Sequence, residues 1–249
     1  MNSETDSLQD KLQFIRSIDF PTTEELSQLI SFLEDPNEND FICAAVYPIL
    51  QNVGKQAVDM LLPAFSETNE KLQIRFSYAF SQISETPAYI FESFLKSEIP
   101  RVRQNGILGF SLLNDRRFDS LLFDVLTTDS NPGTAYEAAA ALSKGGPTAL
   151  KYFETILENN PKTYMDSPTK IKSNPCDLNQ CDLNQHGDSE SYVLDEHVLA
   201  KVIELSGDIG NLDTIPYLEA YFNHSDERIS RIAMESVQKI KSKFRNLKI

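Results

Sequence analysis

The chain has no tryptophan, and its 249 residues include only three cysteines, three histidines and nine glycines. Each shortage excludes something. Three cysteines, two of them five positions apart at Cys176 and Cys181, do not make the disulfide framework of a small secreted domain. No apolar run approaches the ~18 residues that cross a bilayer. The N-terminus is acidic and polar rather than signal-like, so the expectation is a soluble, cytoplasmic protein. There is no glycine-rich phosphate loop, serine elbow, zinc-protease helix or dinucleotide fingerprint. Gly106 and Gly109 share a predicted helix, where small residues serve packing. Of the histidines outside the loop discussed below, His224 falls in a predicted turn and His197 stands beside Glu196 on a predicted helix, neither with a nucleophile in view. The expectation is no catalytic residue, no cofactor and no enzyme activity.

Positive charge is the other shortage. The 23 Lys and Arg face 37 Asp and Glu, for a formal net charge of −14. Such a surface repels a phosphate backbone, which argues against nucleic-acid binding. Seven cations (Arg228, Arg231, Lys239, Lys241, Lys243, Arg245 and Lys248) are nevertheless gathered at the C-terminal end against one acid, Glu235. This reads as a solvated basic last helix that complements its own dipole and an acidic neighbour.

What is present is a period. Apolar segments stop at Gly54, Ser84, Asn114 and Gly145, at intervals of roughly 30, 30 and 31 residues, and again at Gly210 after one further period plus an insertion of about 34. Between stops the apolar residues recur at helical spacing. Thr22 and Glu25 form a candidate capping box. Leu26, Leu29, Ile30 and Leu33 follow, Asp35-Pro36-Asn37 ends the run, and Phe41, Ala44, Ala45, Ile49 and Val53 mark the apolar face of a partner helix that Gly54 closes in a left-handed conformation. The same order returns in later pairs, for example Leu72, Phe76, Ala79, Phe80 and Ile83, or Ala135, Ala138, Ala139 and Leu142. Small residues at Ala45, Gly106, Ala138 and Ala233 would let neighbouring second helices approach closely. Leu8, Leu12, Ile15 and Ile18 suggest a capping helix over residues 1–21.

Two stretches carry a family resemblance. Leu205-Ser206-Gly207-Asp208-Ile209-Gly210 leads into Asp213-Thr214-Ile215-Pro216-Tyr217-Leu218, then an acidic turn and Arg228-Ile229 with Ala233. Pro100-Arg101-Val102-Arg103 with Gly106 repeats the second half. This resembles the HEAT-repeat family in its short, phycobilisome-lyase-like bacterial form. The tryptophan and tyrosine signature of tetratricopeptide repeats is missing. The resemblance implies an all-α, right-handed α-α superhelix of about six helical pairs over residues 22–249. It also implies a non-enzymatic scaffold or adaptor, monomeric, that binds a protein partner through the concave face lined by second helices. With this composition that face is expected to be acidic and its partner basic. The family name carries an alternative, a phycobilin lyase-like or chaperone-like subunit acting with a partner. A HEAT-like DNA glycosylase is excluded by the missing tryptophan and the acidity.

Residues 159–191 break the period. The stretch is rich in Pro, Asn, Asp, Ser and Gln, and reads as a disordered insertion within the fifth pair. It contains the direct repeat Cys176-Asp177-Leu178-Asn179-Gln180 and Cys181-Asp182-Leu183-Asn184-Gln185, then His186. Cys176, Cys181 and His186 are chemically suited to zinc, but their spacing is looser than that of structural sites, and a tandem duplication accounts for them without a metal. On the second helices the candidate partner-binding residues are Arg75, Tyr78, Arg103, Asn105, Tyr136, Glu137 and His197. Arg103 also fits a structural role, pairing with a turn carboxylate of a neighbouring unit.

Overall fold

A computed structural model describes residues 3–65, 69–160 and 194–245. Among them every regular element is helical: α1 (Ser3–Arg16), α2 (Thr23–Glu34), α3 (Asp40–Val53), α4 (Lys55–Ala64), α5 (Glu70–Gln82), α6 (Ala88–Leu95), α7 (Pro100–Leu113), α8 (Asp119–Thr128), α9 (Pro132–Ser143), α10 (Leu150–Asn159), α11 (Glu196–Ile209), α12 (Ile215–Glu219) and α13 (Glu227–Arg245). After α1 the order is six consecutive pairs. The chain forms two compact units, residues 1–125 and 126–249, with α8 spanning the boundary.

In the first unit α1, α3, α5 and α7 pack one on the next as a layer of second helices, while α2 packs on α4 as well as on α3 and α5. The contacts between second helices keep a near-constant sequence offset, as in Tyr47 with Tyr78 and Asn105 with Ser77, so these helices run parallel. Between the layers lies a string of phenylalanine rings. Phe65, Phe80 and Phe94 meet at centroid distances of 4.9–6.0 Å, and Phe91, Phe110 and Phe118 continue the line. Edge-to-face and tilted pairs of this kind add to the area they bury. In the second unit α9, α11 and α13 form the corresponding layer and α10 packs on α12. Its core is aliphatic around Phe153 and Tyr221. This is repeat-like, solenoid-type packing, in which each pair buries its apolar stripe on its neighbours.

The sequence signals hold at several ends. Thr22 and Glu25 form a complete capping box, and Leu26, Leu29, Ile30 and Leu33 are buried. Other ends differ from expectation. Gly54 has φ 68° and ψ −129°, outside the left-handed helical region and in one that only glycine occupies readily, which lets α4 start directly after α3. Asn114 takes the left-handed role instead, with φ 50°, while Gly145 and Gly210 keep negative φ. The face of α3 is also shifted. Ile42, Cys43, Val46 and Leu50 are buried, and Phe41, expected inside, is 75% exposed.

Of the small residues, Gly106 is explained by close approach to α6 of its own pair, while Ala45 is only half-buried. A Cβ on Gly106 would stand 3.0 Å from the Phe91 carbonyl oxygen and the Phe94 Cβ, and one on Gly109 would lie within 2.5 Å of the Phe91 ring. Ala138 and Ala233 are fully buried. Helix α10 ends at Asn159 and α11 begins at Glu196. Residues 161–193, where the insertion is expected, lie outside the described residues, Cys176, Cys181 and His186 among them.

Candidate partner-binding surface

Four of the seven candidate residues belong to the first unit and three to the second. In the first unit they separate sharply by burial. Arg75 is 4% exposed. From α5 its guanidinium donates to the carbonyls of Asp35 and Glu38, each at 2.6 Å, and to Asp40 Oδ1 at 2.9 Å. It thereby ties the α2–α3 turn of the preceding pair to the next second helix. That hydrogen bond holds the Asp40 carboxyl below the ordinary aspartate range. Arg75 thus plays an inter-pair role of the kind expected of Arg103. Arg103 donates to the carbonyls of Ser97 and Glu98 in the turn before its own helix. Asn105 is 2% exposed and donates through Nδ2 to the Ile74 carbonyl at 3.2 Å and Ser77 Oγ at 2.8 Å. Ser236 repeats this device in the second unit, giving its hydroxyl to the Ile203 carbonyl at 3.1 Å. These buried polar groups bond acceptors on the preceding second helix or turn, as a buried donor must. Arg75 and Asn105 therefore present almost no side-chain surface.

Tyr78 is less buried. It is half-buried and meets Tyr47 edge-on at 4.8 Å between centroids; burial raises the Tyr47 phenol pKa. With α3, α5 and α7 parallel, their contacts at offsets of 28–31 residues (Tyr47 with Tyr78, Asn105 with Ile74 and Ser77) and the similar burial of residues thirty apart put such residues in corresponding rows across the layer. One row is Pro48, Tyr78 and Leu108. Nearer the helix N-termini, Phe41, Lys71 and Arg101 form another. Leu112 is 50% exposed beyond the first row. Lys71 Nζ donates to the Pro36 carbonyl and Arg101 to Gln104 Oε1, and among the described residues neither makes an ion pair. Sequence reasoning missed Pro48, Leu108 and Leu112; the thirty-residue interval through Tyr78 was the available signal.

In the second unit Tyr136 on α9 is 39% exposed, and Lys201 of α11 sits over its ring with Nζ 5.3 Å from the centroid. Burial pulls the Lys201 pKa down, but hydrogen bonds to Glu204 and Tyr136 outweigh it and the net shift is upward. Glu137 is exposed beside Tyr136. His197, at the start of α11, has Nδ1 2.8 Å from Arg228 Nη1 of α13. The basic last helix is largely engaged with its neighbours, as expected: Lys239 with Asp208, Lys241 with Glu219, and Lys243 with the last carbonyls of α11.

The charge on these faces differs from the expectation. Helices α3, α5 and α7 carry Lys71, Arg101 and Arg103 at least partly exposed, with Arg75 buried, against Asp40 and Glu70. Helices α2, α4 and α6 carry Glu24, Glu25, Glu34, Asp59 and Glu92 against Lys55. In the first unit the acidity lies on the first helices, and the second-helix face is not acidic.

Among the described residues no group of three His, Cys, Asp or Glu side chains is placed to hold a metal, and no helix is long and apolar enough to cross a membrane. The two best-formed depressions, at Asn69–Ile74 and along the end of α13, are open hollows of the surface.

No family model matches the sequence, and no curated protein does either. Solved structures do. An engineered protein aligns over 94% of this chain and 97% of its own at 14% identity and a TM-score of 0.46. A second engineered protein covers 94% and 99% at 15% identity and a TM-score of 0.44. A designed armadillo repeat protein covers 87% and 100% at 12% identity and a TM-score of 0.38.

Proposed function

We propose that this chain is a non-catalytic, HEAT-like helical scaffold that holds a protein partner on the exposed face of its second helices. The observation that supports the reading is the partial exposure of Tyr78 and Tyr136 on two second helices. A partly exposed tyrosine offers large contact area and one polar handle at low entropy cost. The charge count by helix changes the partner originally expected. A basic partner would find carboxylates on the first helices, whereas the second-helix face of the first unit favours an apolar or acidic one.

The test is site-specific photocrosslinking in the native host. A benzophenone amino acid is placed at Tyr78, at Tyr136 or, on a first helix, at Glu92, followed by mass spectrometry of the adducts. The expected result is a discrete protein adduct from Tyr78 or Tyr136 and none from Glu92. Adducts from Glu92 alone would reverse the choice of face. Absence of adducts at all three positions would remove the scaffold reading.

A further inference from the structure

The second-helix face of the first unit has a repeat of its own, and that repeat sets what can lie on it. Pro48, Tyr78 and Leu108 sit in register on three adjacent parallel helices, and packed helix axes stand roughly 8–10 Å apart. An extended polyproline-II segment rises about 3.1 Å per residue with about three residues per turn. Its every third side chain therefore points the same way at a spacing of about 9 Å, close to the spacing of the rows. A helix laid across the same rows rises about 1.5 Å per residue, so its i, i+7 side chains advance about 10.5 Å while those at i+3 and i+4 fall between the rows.

The charge of the face adds a second constraint. Besides the buried Arg75, helices α5 and α7 carry the cations Lys71, Arg101 and Arg103 and one carboxylate, Glu70. Lys71 and Arg101 are bonded to neutral acceptors, so their charge is not cancelled by direct pairing. Asp40 on the same edge is taken by Arg75, while Glu98 stands in the turn before α7. Between Lys71 and Gln82, and from Pro100 to Leu113, there is no carboxylate at all. In a chain of net charge −14 this is a place where an acidic segment meets attraction rather than repulsion.

Resting on the scaffold reading above, we infer that this face binds an extended segment of a partner protein. That segment has apolar side chains at every third residue, set over Pro48, Tyr78 and Leu108, and acidic rather than basic residues beside Lys71 and Arg101. Main-chain groups of such a segment remain free to bond water or the polar side chains Gln82 and Gln104 along the rows.

The experiment is selection of a random twelve-residue peptide display library on the immobilised full chain. The enriched peptides are then synthesised and their binding measured by fluorescence polarisation to wild type, to Y78S/L108S and to K71E/R101E. All four positions are at least partly exposed, and thermal melts establish that each variant is folded. The expected result is apolar residues recurring at i, i+3 and i+6 with neighbouring Asp or Glu. Affinity should fall at least about tenfold in each variant. Enrichment of basic peptides, or of a helical i, i+4, i+7 pattern, would overturn the assignment. Peptides that bind Y78S/L108S as well as wild type would overturn this site and leave a scaffold acting through another surface. No enrichment on any of the proteins would count against the scaffold reading as well.

Discussion

A guanidinium can serve several acceptors at once because its N–H groups form a rigid planar fork. Arg75 uses that fork on two carbonyls and one carboxylate, which an ammonium could not reach from the same helix position. Arg75→Lys is therefore expected to destabilise the chain by about 2 kcal/mol and Arg75→Met by about 3 kcal/mol, since buried carbonyls lose their donors. The check is the urea unfolding midpoint, with a loss under a few tenths of a kcal/mol counting against the account. Tyr221 shows the same dependence on a distant acceptor. It is fully buried in the second unit, its hydroxyl donates to the Leu157 carbonyl at 2.9 Å, and burial raises its phenol pKa. A raised folded-state pKa favours the protonated phenol. The resulting stability is complete below the unfolded value of about 10 and is lost as pH rises above it. Unfolding midpoints should hold from pH 7 to 9 and fall above about 10. Tyr221→Phe should cost about 1 kcal/mol at neutral pH and make the alkaline fall shallower; an unchanged alkaline slope would assign it to other groups. Neither role was legible in the sequence. Arg75 and Asn105 look like surface residues of a second helix, and what buries them is a set of carbonyls some thirty to forty positions earlier that no local pattern announces.

At the scale of the element, the helices and their stops were legible because the period recurs, but the face of an individual helix was not always so. In α3 the run Phe41-Ile42-Cys43-Ala44-Ala45-Val46-Tyr47 is apolar on every side, so helical spacing admits more than one buried face. Packing on α1, α2 and α5 selects the one through Ile42, Val46 and Leu50. Helix α11 is a clearer case, because close approach leaves little freedom. Gly207 faces Ser236 of α13, and a Cβ there would lie 2.5 Å from the serine Cβ and 2.8 Å from its Cα. Alanine in a helix interior ordinarily gains up to about 1 kcal/mol over glycine. Here it must push two helices apart, and overpacking of that kind costs about 1–3 kcal/mol. Gly207→Ala should thus lower stability by about 1–2 kcal/mol in chemical denaturation. Adding Ser236→Gly should recover part of that loss relative to the Ser236→Gly protein alone. A gain in stability from the alanine would show that α11 and α13 are less tightly joined than their geometry indicates.

At the scale of the whole molecule, the described residues on either side of the long interruption are joined directly. The Leu194 backbone N–H donates to Asn160 Oδ1 at 3.1 Å, and Asn160 is itself 5% exposed beneath Tyr221. The two described ends of the interruption thus meet, and α10 packs on α11 and α12. Replacing residues 161–193 by a linker of about five Gly and Ser residues should leave the helical circular dichroism signal per molecule nearly unchanged. Shortening a loop of about thirty residues to about five also lowers the entropy cost of closing it by roughly 1–2 kcal/mol. The expected result is a cooperative melt at the same or a higher temperature. A loss of cooperativity would mean that the removed residues belong to the packing of the fifth pair rather than hang from it. Partner binding measured on the same shortened chain then separates the two places where function could reside: retention assigns it to the helical faces, and loss assigns it to the insertion.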